Sequence, residues 1–171
     1  MKEAANMPEG ARIVPRLQKH EEAISLWRYE GPYAFYNAPE PYRALRPGEP
    51  AGADAFAWID AGGTVLGHVS YGPDGRIPTV EGYPYSEDCL DVGLGLRPDL
   101  CGRGLGEAFI ALCLGFGAER YGADRFRLSV AAFNARAVRA YQRAGFSIEC
   151  EVTNSVFRNT FYIMTGARAG A

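Results

Sequence analysis

The sequence lacks an excess of charge of either sign. Its 171 residues carry 18 Lys and Arg against 20 Asp and Glu, a formal net charge of −2. A chain without a basic field has no broad electrostatic surface for nucleic acid or for an anionic membrane. We therefore expect neither as a partner, and an anionic ligand must be bound by a few groups aimed directly at it.

Patterns for metal sites, disulfides and membrane spans are also missing. The four cysteines form no CxxC pair and have no metal-ligand spacing with His20 or His68. We expect no metal, and free thiols of the kind found in a reducing cytosol. No apolar run approaches the ~18 residues that a membrane span needs. The N-terminus lacks the apolar region of a signal peptide, so the predicted location is cytoplasmic.

The order of periodic segments predicts one mixed α/β domain over 11–166, with 1–10 as a flexible tail. Strand patterns and helical patterns alternate, which favours a central sheet with helices packed on it. Gly62 and Gly63 predict a hairpin turn between two of the strands. The predicted strands are 11–17, 53–60, 64–71, 89–96, 124–131, 146–152 and 156–164, and the predicted helices are 20–28, 107–120 and 134–144.

A glycine-rich run, Cys101 to Gly106 (CGRGLG), lies between a predicted strand and a predicted helix. Free N–H groups and the dipole at a helix start favour an anion, and glycines let the backbone approach it. A dinucleotide-binding GxGxxG loop would need glycine where Glu107 stands, and no Lys-Ser/Thr pair follows as in a P-loop. The run suits a phosphate or pyrophosphate. Two alternatives stay open here: glycines that only shape a turn, and a nucleotide-binding protein with an unrelated glycine loop.

Two ordered segments resemble the signatures of the GNAT acetyltransferase family. Leu94–Phe109 (LGLRPDLCGRGLGEAF) is similar to its acetyl-CoA-binding strand, loop and helix, and Leu128–Phe146 (LSVAAFNARAVRAYQRAGF) to its second signature. The resemblance implies an α/β (mixed α+β) fold. The implied fold is the GNAT acyl-CoA N-acyltransferase fold. This fold would have a mostly antiparallel twisted sheet of about six or seven strands, flanked by helices and splayed between strands 4 and 5. The matching positions of the second signature are Asn134, Ala137, Tyr141, Gly145 and Phe146.

The resemblance also implies roles for individual residues. The N–H of Leu96 would stabilise the oxyanion, and Tyr141 would act as general acid. Asn134 would cap its helix and contact the pantetheine arm. Cys101 departs from the family pattern, which has Gln or Arg there, and Arg103 is a hypothesis for the lost positive charge. The implied coenzyme-binding residues are Leu94, Gly95, Leu96, Cys101, Gly102, Arg103, Gly104, Leu105, Gly106 and Asn134.

The implied activity is N-acetyl transfer from acetyl-CoA, the co-substrate, to an unidentified amine of a small molecule or peptide. The aromatic segment 27–42 would form part of the acceptor site, and the expected acceptor-site residues are Trp27, Tyr33, Tyr36 and Asp91. The general base stays open among Glu81, Glu87 and Asp91, each of which is also readable as a surface charge. The alternatives are a non-catalytic acetyl-CoA-binding sensor, and an acyltransferase for longer acyl groups or an oxygen acceptor. The C-terminal strand is compatible with a homodimer.

Overall fold

A computed structural model describes residues 7–37 and 51–168. Most of the predicted tail and the end of the aromatic segment lie outside these residues. Seven strands form one sheet in the order β1-β2-β3-β4-β5-β7-β6. The strands are β1 (Arg12–Pro15), β2 (Ala55–Ile59), β3 (Val65–Tyr71), β4 (Leu90–Leu96), β5 (Arg125–Ala131), β6 (Ser147–Thr153) and β7 (Thr160–Ala167).

Helices complete the predicted mixed α/β fold. Short 3₁₀ helices cover Gly31–Tyr36, Gly72–Gly75 and Pro98–Leu100. In the described ranges, no helix has the length and apolar character needed to cross a membrane. The α-helices are α1 (Gln18–Ser25), α2 (Leu105–Tyr121) and α3 (Ala135–Arg143).

The chain forms two compact units, and it passes from one to the other within β3, within β4 and within α2. The first unit is Met1–Ser70 with Leu94–Gly106, and the second is Tyr71–Gly93 with Glu107–Ala171. The prediction of a single domain over 11–166 stays a prediction.

In the first unit, β1 and β3 pair antiparallel with the two edges of β2. Ala57 at the centre of β2 lies opposite Val14 on one side and His68 on the other. Trp27, which follows α1, packs with Ala57 in a small apolar core. Because β2 is apolar at every position and buried throughout, it suits the middle of this part of the sheet. The other members of this core are Ile59, Val65, Val14, Ala23, Ile24 and Tyr29.

In the second unit, the start of β4 runs parallel to β5, and this parallel ladder is short. Leu90 pairs with Phe126 and Asp91 with Arg127. Beyond it, β5 and β6 pair antiparallel with the two edges of β7. One parallel pair in an otherwise antiparallel sheet confirms the predicted fold class.

Helix α2 packs closely in the second unit at a glycine. A Cβ on Gly117 would lie 2.8 Å from a ring carbon of Tyr71 and 3.0 Å from one of Phe126. The Tyr71 hydroxyl donates a hydrogen bond of 2.6 Å to the Cys113 carbonyl, one turn earlier in α2. The small residue therefore permits the helix to lie directly on the aromatic rings.

Three predicted boundaries differ from the structure by three or four residues, namely the end of α1 and both ends of β7. Helix α1 ends at Ser25, so Trp27 follows the helix. Strand β7 begins at Thr160, four residues after the predicted start. Asn154 causes the delay, because its side chain accepts hydrogen bonds from the N–H groups of Val156 and Phe157 and so builds a turn at that point.

Candidate active site

The end of β4 presents backbone groups on the side opposite β3. Arg97 N–H, just after the strand, donates to the Leu66 carbonyl of β3 over 2.9 Å. Successive residues of an extended chain direct their N–H and C=O groups to opposite sides. The groups of Leu94 and Leu96 therefore point away from β3, whereas those of Gly95 point towards it. Of the three positions predicted to bind coenzyme here, Leu94 and Leu96 have their backbone groups on the side that β3 leaves free.

The carbonyl of Leu96 is engaged by side chains from two other segments. The Tyr29 hydroxyl donates to it over 2.7 Å. The Cys101 Sγ lies 3.6 Å from the same oxygen and 3.6 Å from the Arg97 carbonyl. A thiol is a weak donor, so the Tyr29 bond is the stronger of the two. Within the first unit, the aromatic segment and the glycine loop therefore both contact the Leu96 carbonyl.

Gly95 is a glycine because His68 lies against it. A Cβ at this position would be 2.4 Å from the His68 Nε2. The imidazole also stacks on Trp27, with ring centroids 5.9 Å apart. The sequence signal for His68 is a polar residue in the mostly apolar strand VLGHVSY, and this signal does not predict the contact with Gly95.

His68 is held in its neutral form. The residue is half-buried, but its Nδ1 is inaccessible and has no hydrogen-bond partner among the described residues. Loss of hydration, together with the nearby charge of Arg16, lowers the pKa of His68 to about 3. A neutral imidazole therefore packs beside the end of β4 at ordinary pH.

The glycine loop adopts the backbone that its sequence requires. Gly102 and Gly104 have φ of 75° and 81°, the left-handed region that favours glycine. Helix α2 begins at Leu105, so its first N–H groups have no partner within the helix. An added Cβ on Gly102 or Gly106 would meet no atom within 4 Å. Backbone donors beside open space at a helix start fit an anionic group such as a pyrophosphate.

Cys101 differs from the remainder of the loop. Its N–H donates to the Pro98 carbonyl over 3.2 Å, in the 3₁₀ turn that ends at Leu100. The family resemblance implied that Cys101 would bind the coenzyme, and its N–H already has a partner here. Arg103 is exposed, which is compatible with its predicted contact to the coenzyme.

The predicted aromatic acceptor residues lie in a short, well-braced segment of the first unit. Tyr29 packs edge-on against Tyr36, with centroids 6.1 Å apart. The side chain of Asn37 hydrogen-bonds both backbone groups of Tyr29, accepting from its N–H over 2.7 Å and donating to its carbonyl over 3.3 Å. Trp27 is buried in the core, whereas Tyr33 is half-buried and Tyr36 is exposed. The part of the segment that could face a ligand is therefore the 3₁₀ helix.

Asn134 and Tyr141 lie on α3 in the second unit. The side chain of Asn134 caps the helix by accepting from the Ala137 N–H over 3.1 Å, which confirms the predicted cap. Tyr141 is 8% exposed and packs edge-on against Phe146. Its expected role as general acid stays a prediction.

Asp91 is enclosed in an ion pair of the second unit. It is 3% exposed, so reading it as a surface charge is wrong. Its carboxylate accepts from Arg127 over 2.6 and 3.0 Å and from Arg76 over 2.7 Å. Two guanidinium groups on one carboxylate favour a structural role over that of a proton acceptor. Glu81 is also engaged, since both of its oxygens accept from the Thr153 N–H.

The part of the chain that is described contains no candidate metal-binding site. Residues 7–37 and 51–168 contain no cluster of three or more His, Cys, Asp or Glu side chains that could hold an ion. All four cysteines are free.

The comparisons with known proteins agree with the sequence resemblance. The model of the acetyltransferase (GNAT) family matches residues 20–146, well over half of the chain. The chain therefore belongs to the acetyltransferase (GNAT) family. Among curated proteins, no related sequence is found.

Solved structures share the fold at low sequence identity. A GNAT-family acetyltransferase from Bacillus anthracis has a TM-score of 0.65 and 16% identity, and the match covers 94% of this chain and 96% of that one. A chimera of the spermidine N-acetyltransferase SpeG from Vibrio cholerae and hSSAT has a TM-score of 0.63 and 18% identity, over 93% and 96%. A GNAT-family structure from Kribbella flavida has a TM-score of 0.56 and 17% identity, over 94% and 99%.

Proposed function

We propose that this chain is an N-acetyltransferase that moves the acetyl group of acetyl-CoA to a primary amine of a small molecule or peptide by direct attack. The observation that carries the proposal is the orientation of Leu96. Its N–H points away from β3 at the strand end, and the chain then turns into a glycine loop and a helix start. This order of groups suits a thioester linked to a pyrophosphate.

Most of the proposed coenzyme contacts are backbone groups of the first unit. The N–H groups at the start of α2 and in the loop from Gly102 to Gly106 would bind the pyrophosphate, because glycine leaves them accessible. The groups of Leu94 and Leu96 would bind the pantetheine arm. Arg103 would add positive charge that Cys101 does not supply. Asn134, already a helix cap, would contact the arm as well, and Leu105 would contribute its N–H.

Two residues would act on the reacting atoms. The Leu96 N–H would donate to the oxygen that gains negative charge during transfer, an interaction worth roughly 2.7–4 kcal/mol in such sites. Tyr141 would protonate the leaving sulfur, as the family resemblance implies. We assign no general base, because Asp91 and Glu81 already have partners, the third candidate, Glu87, is exposed to solvent, and water could relay the proton.

The acceptor is proposed only as a class, an amine that contacts the 3₁₀ segment with Tyr33 and Tyr36. Tyrosine faces attract an ammonium group through cation–π interaction before it loses its proton. One protein of similar fold is a chimera built on a spermidine N-acetyltransferase. Spermidine is therefore the first amine to try, followed by amino acids, aminoglycosides and peptide N-termini. The spermidine N-acetyltransferase from Vibrio cholerae forms a dodecamer, and for this chain we propose self-association without a defined number of subunits.

A second candidate is a non-catalytic acetyl-CoA-binding module. The engaged N–H of Cys101 favours it, because this position offers less to a pyrophosphate than its counterparts in the family do.

One assay separates the two candidates. The purified protein is incubated with acetyl-CoA and each amine in turn, thiol release is followed, and the acetylated amine is identified by mass spectrometry. Amine-dependent thiol release with a matching product supports the transferase. Binding of acetyl-CoA with no product from any amine supports the sensor instead.

A further inference from the structure

The hydroxyl of Tyr29 donates a hydrogen bond to a backbone carbonyl of a distant segment. It reaches the Leu96 carbonyl, 67 residues away in the sequence, over 2.7 Å. Leu96 is the residue whose N–H is the proposed oxyanion donor. We propose that Tyr29 is a positioning residue for acetyl transfer, which fixes the Leu96 backbone and so aims the Leu96 N–H; this inference rests on the proposed function.

The peptide that follows Leu96 is held at both ends. Its oxygen accepts from Tyr29, and its N–H, which belongs to Arg97, donates to the Leu66 carbonyl over 2.9 Å. A peptide group is planar, so two opposite hydrogen bonds determine its orientation. The Leu96 N–H lies in the preceding peptide and is separated from the fixed one by the two dihedral angles of a single residue.

The peptide that precedes Leu96 joins the Gly95 carbonyl to the Leu96 N–H. The Gly95 carbonyl points towards β3, the neighbouring strand of the sheet, so the sheet orients this peptide from one side. The His68 ring covers the place where a Cβ of Gly95 would be. Leu96 is the last residue of β4, so the direction of its N–H also depends on the peptide that follows, which Tyr29 fixes on the side away from β3.

Tyr29 is itself fixed strongly enough to serve as a reference point. Asn37 engages both its N–H and its carbonyl, and its ring packs edge-on against Tyr36. The ring also belongs to the apolar core around Trp27. The Cys101 thiol is a second donor to the same Leu96 oxygen at 3.6 Å. When the Tyr29 hydroxyl is removed, this weaker contact should restrain the Leu96 carbonyl only in part.

The variant Tyr29→Phe tests the proposal, because it removes the hydroxyl and keeps the ring. Removing an oxyanion donor outright costs about 10²–10³ in kcat, and a misaimed donor should lose part of that, so we expect kcat to fall about tenfold. The KM for acetyl-CoA should stay within about twofold, since most coenzyme contacts are elsewhere.

The matched control is Tyr71→Phe in the second unit. Tyr71 also donates its hydroxyl to a backbone carbonyl, that of Cys113 over 2.6 Å. This variant loses the same kind of bond, and we expect lower thermal stability with kcat unchanged. A second variant, Asn37→Ala, keeps the Tyr29 hydroxyl and removes its brace. It should lower kcat in the same direction by a smaller factor.

The outcomes are distinct. A selective fall of kcat in Tyr29→Phe, absent from Tyr71→Phe, supports the positioning role. If Tyr29→Phe loses stability but keeps wild-type kcat, the positioning role is overturned and the transferase stands. If the wild-type protein turns over no amine, the proposed function fails and the positioning role fails with it. Should Tyr29→Phe not fold, wild-type kcat in folded Asn37→Ala would refute the proposal.

Discussion

The contact between Gly95 and His68 gives the sharpest prediction for stability. In Gly95→Ala, the new Cβ would lie 2.4 Å from Nε2, 2.9 Å from Cε1 and 3.1 Å from Cδ2 of His68. Ordinary carbon contacts need about 3.5 Å or more, so the ring must move by roughly 1 Å. It has little freedom to do so, because it stacks on Trp27 and its Nδ1 is enclosed.

The expected cost follows from overpacking. Inserting a methyl group into a closely packed site costs typically 1–3 kcal/mol, and we expect about 2 kcal/mol for Gly95→Ala. For a chain of this size, that corresponds to a fall in Tm of roughly 4–8 °C. Urea denaturation gives the free energy of unfolding directly, and a thermal melt provides a second measure.

A double-mutant cycle tests whether His68 is the cause. We expect Gly95→Ala to be much less harmful when His68 is already alanine, with a coupling of about 1–2 kcal/mol. If Gly95→Ala costs the same in both backgrounds, the clash does not explain the glycine, and the reasoning about this contact is refuted.

Three further predictions concern ionisable groups. Asp91→Ala should lower the free energy of unfolding by about 3–5 kcal/mol in urea denaturation, because it leaves the buried Arg127 without its carboxylate partner. The control Asp88→Ala, at an exposed residue, should lower it by under ~1 kcal/mol. Equal losses in the two variants would contradict this prediction. The pKa of His68 is about 3 when folded and near 6.5 unfolded, so its stabilising contribution is complete above pH 6.5 and is lost as pH falls towards 3. His68→Gln should therefore lose less stability than the wild type between pH 7 and pH 4 in denaturant titrations, and parallel curves would argue against a neutral His68. Arg103→Ala should raise the KM for acetyl-CoA with little change in kcat. An unchanged KM would refute the hypothesis that Arg103 supplies the positive charge missing at Cys101.

The strands and helices could be predicted from the sequence because their signals are local. Within residues 7–37 and 51–168, the sequence pattern identified each strand and α-helix. The Asn134 cap and the turn at Gly62 are properties of a few neighbouring residues. The late start of β7 has an equally local reason that the periodicity does not contain. The side chain of Asn154 competes with the β7 ladder and builds a turn, so apolar residues at 156 and 157 lie outside the strand.

The details of the candidate site depend on contacts between distant segments, which one sequence does not reveal. Gly93 and Gly95 lie within the apolar strand β4, and the sequence does not reveal what lies beside them. In the structure, each glycine has a close neighbour of the same unit, Gly75 for Gly93 and His68 for Gly95. Asp91 is a candidate base by its sequence position, but in the structure its carboxylate is paired with Arg127 and Arg76. The bond from Tyr29 to Leu96 has no sequence signal at all.

Calorimetric titration with acetyl-CoA, on the wild type and two glycine variants, tests the central claim most directly. At Gly106 and at Gly115, both in α2, an added Cβ meets no atom within 4 Å, so alanine at either site should leave the fold intact or slightly more stable. Gly106 lies where the pyrophosphate is proposed to bind, and Gly115 lies well along the helix. Losing one hydrogen bond to a charged group costs about 1.5–3 kcal/mol. We therefore expect binding by the wild type and Gly115→Ala, and binding about 10–100-fold weaker in Gly106→Ala. No binding by the wild type, or equal binding by all three, would contradict the account.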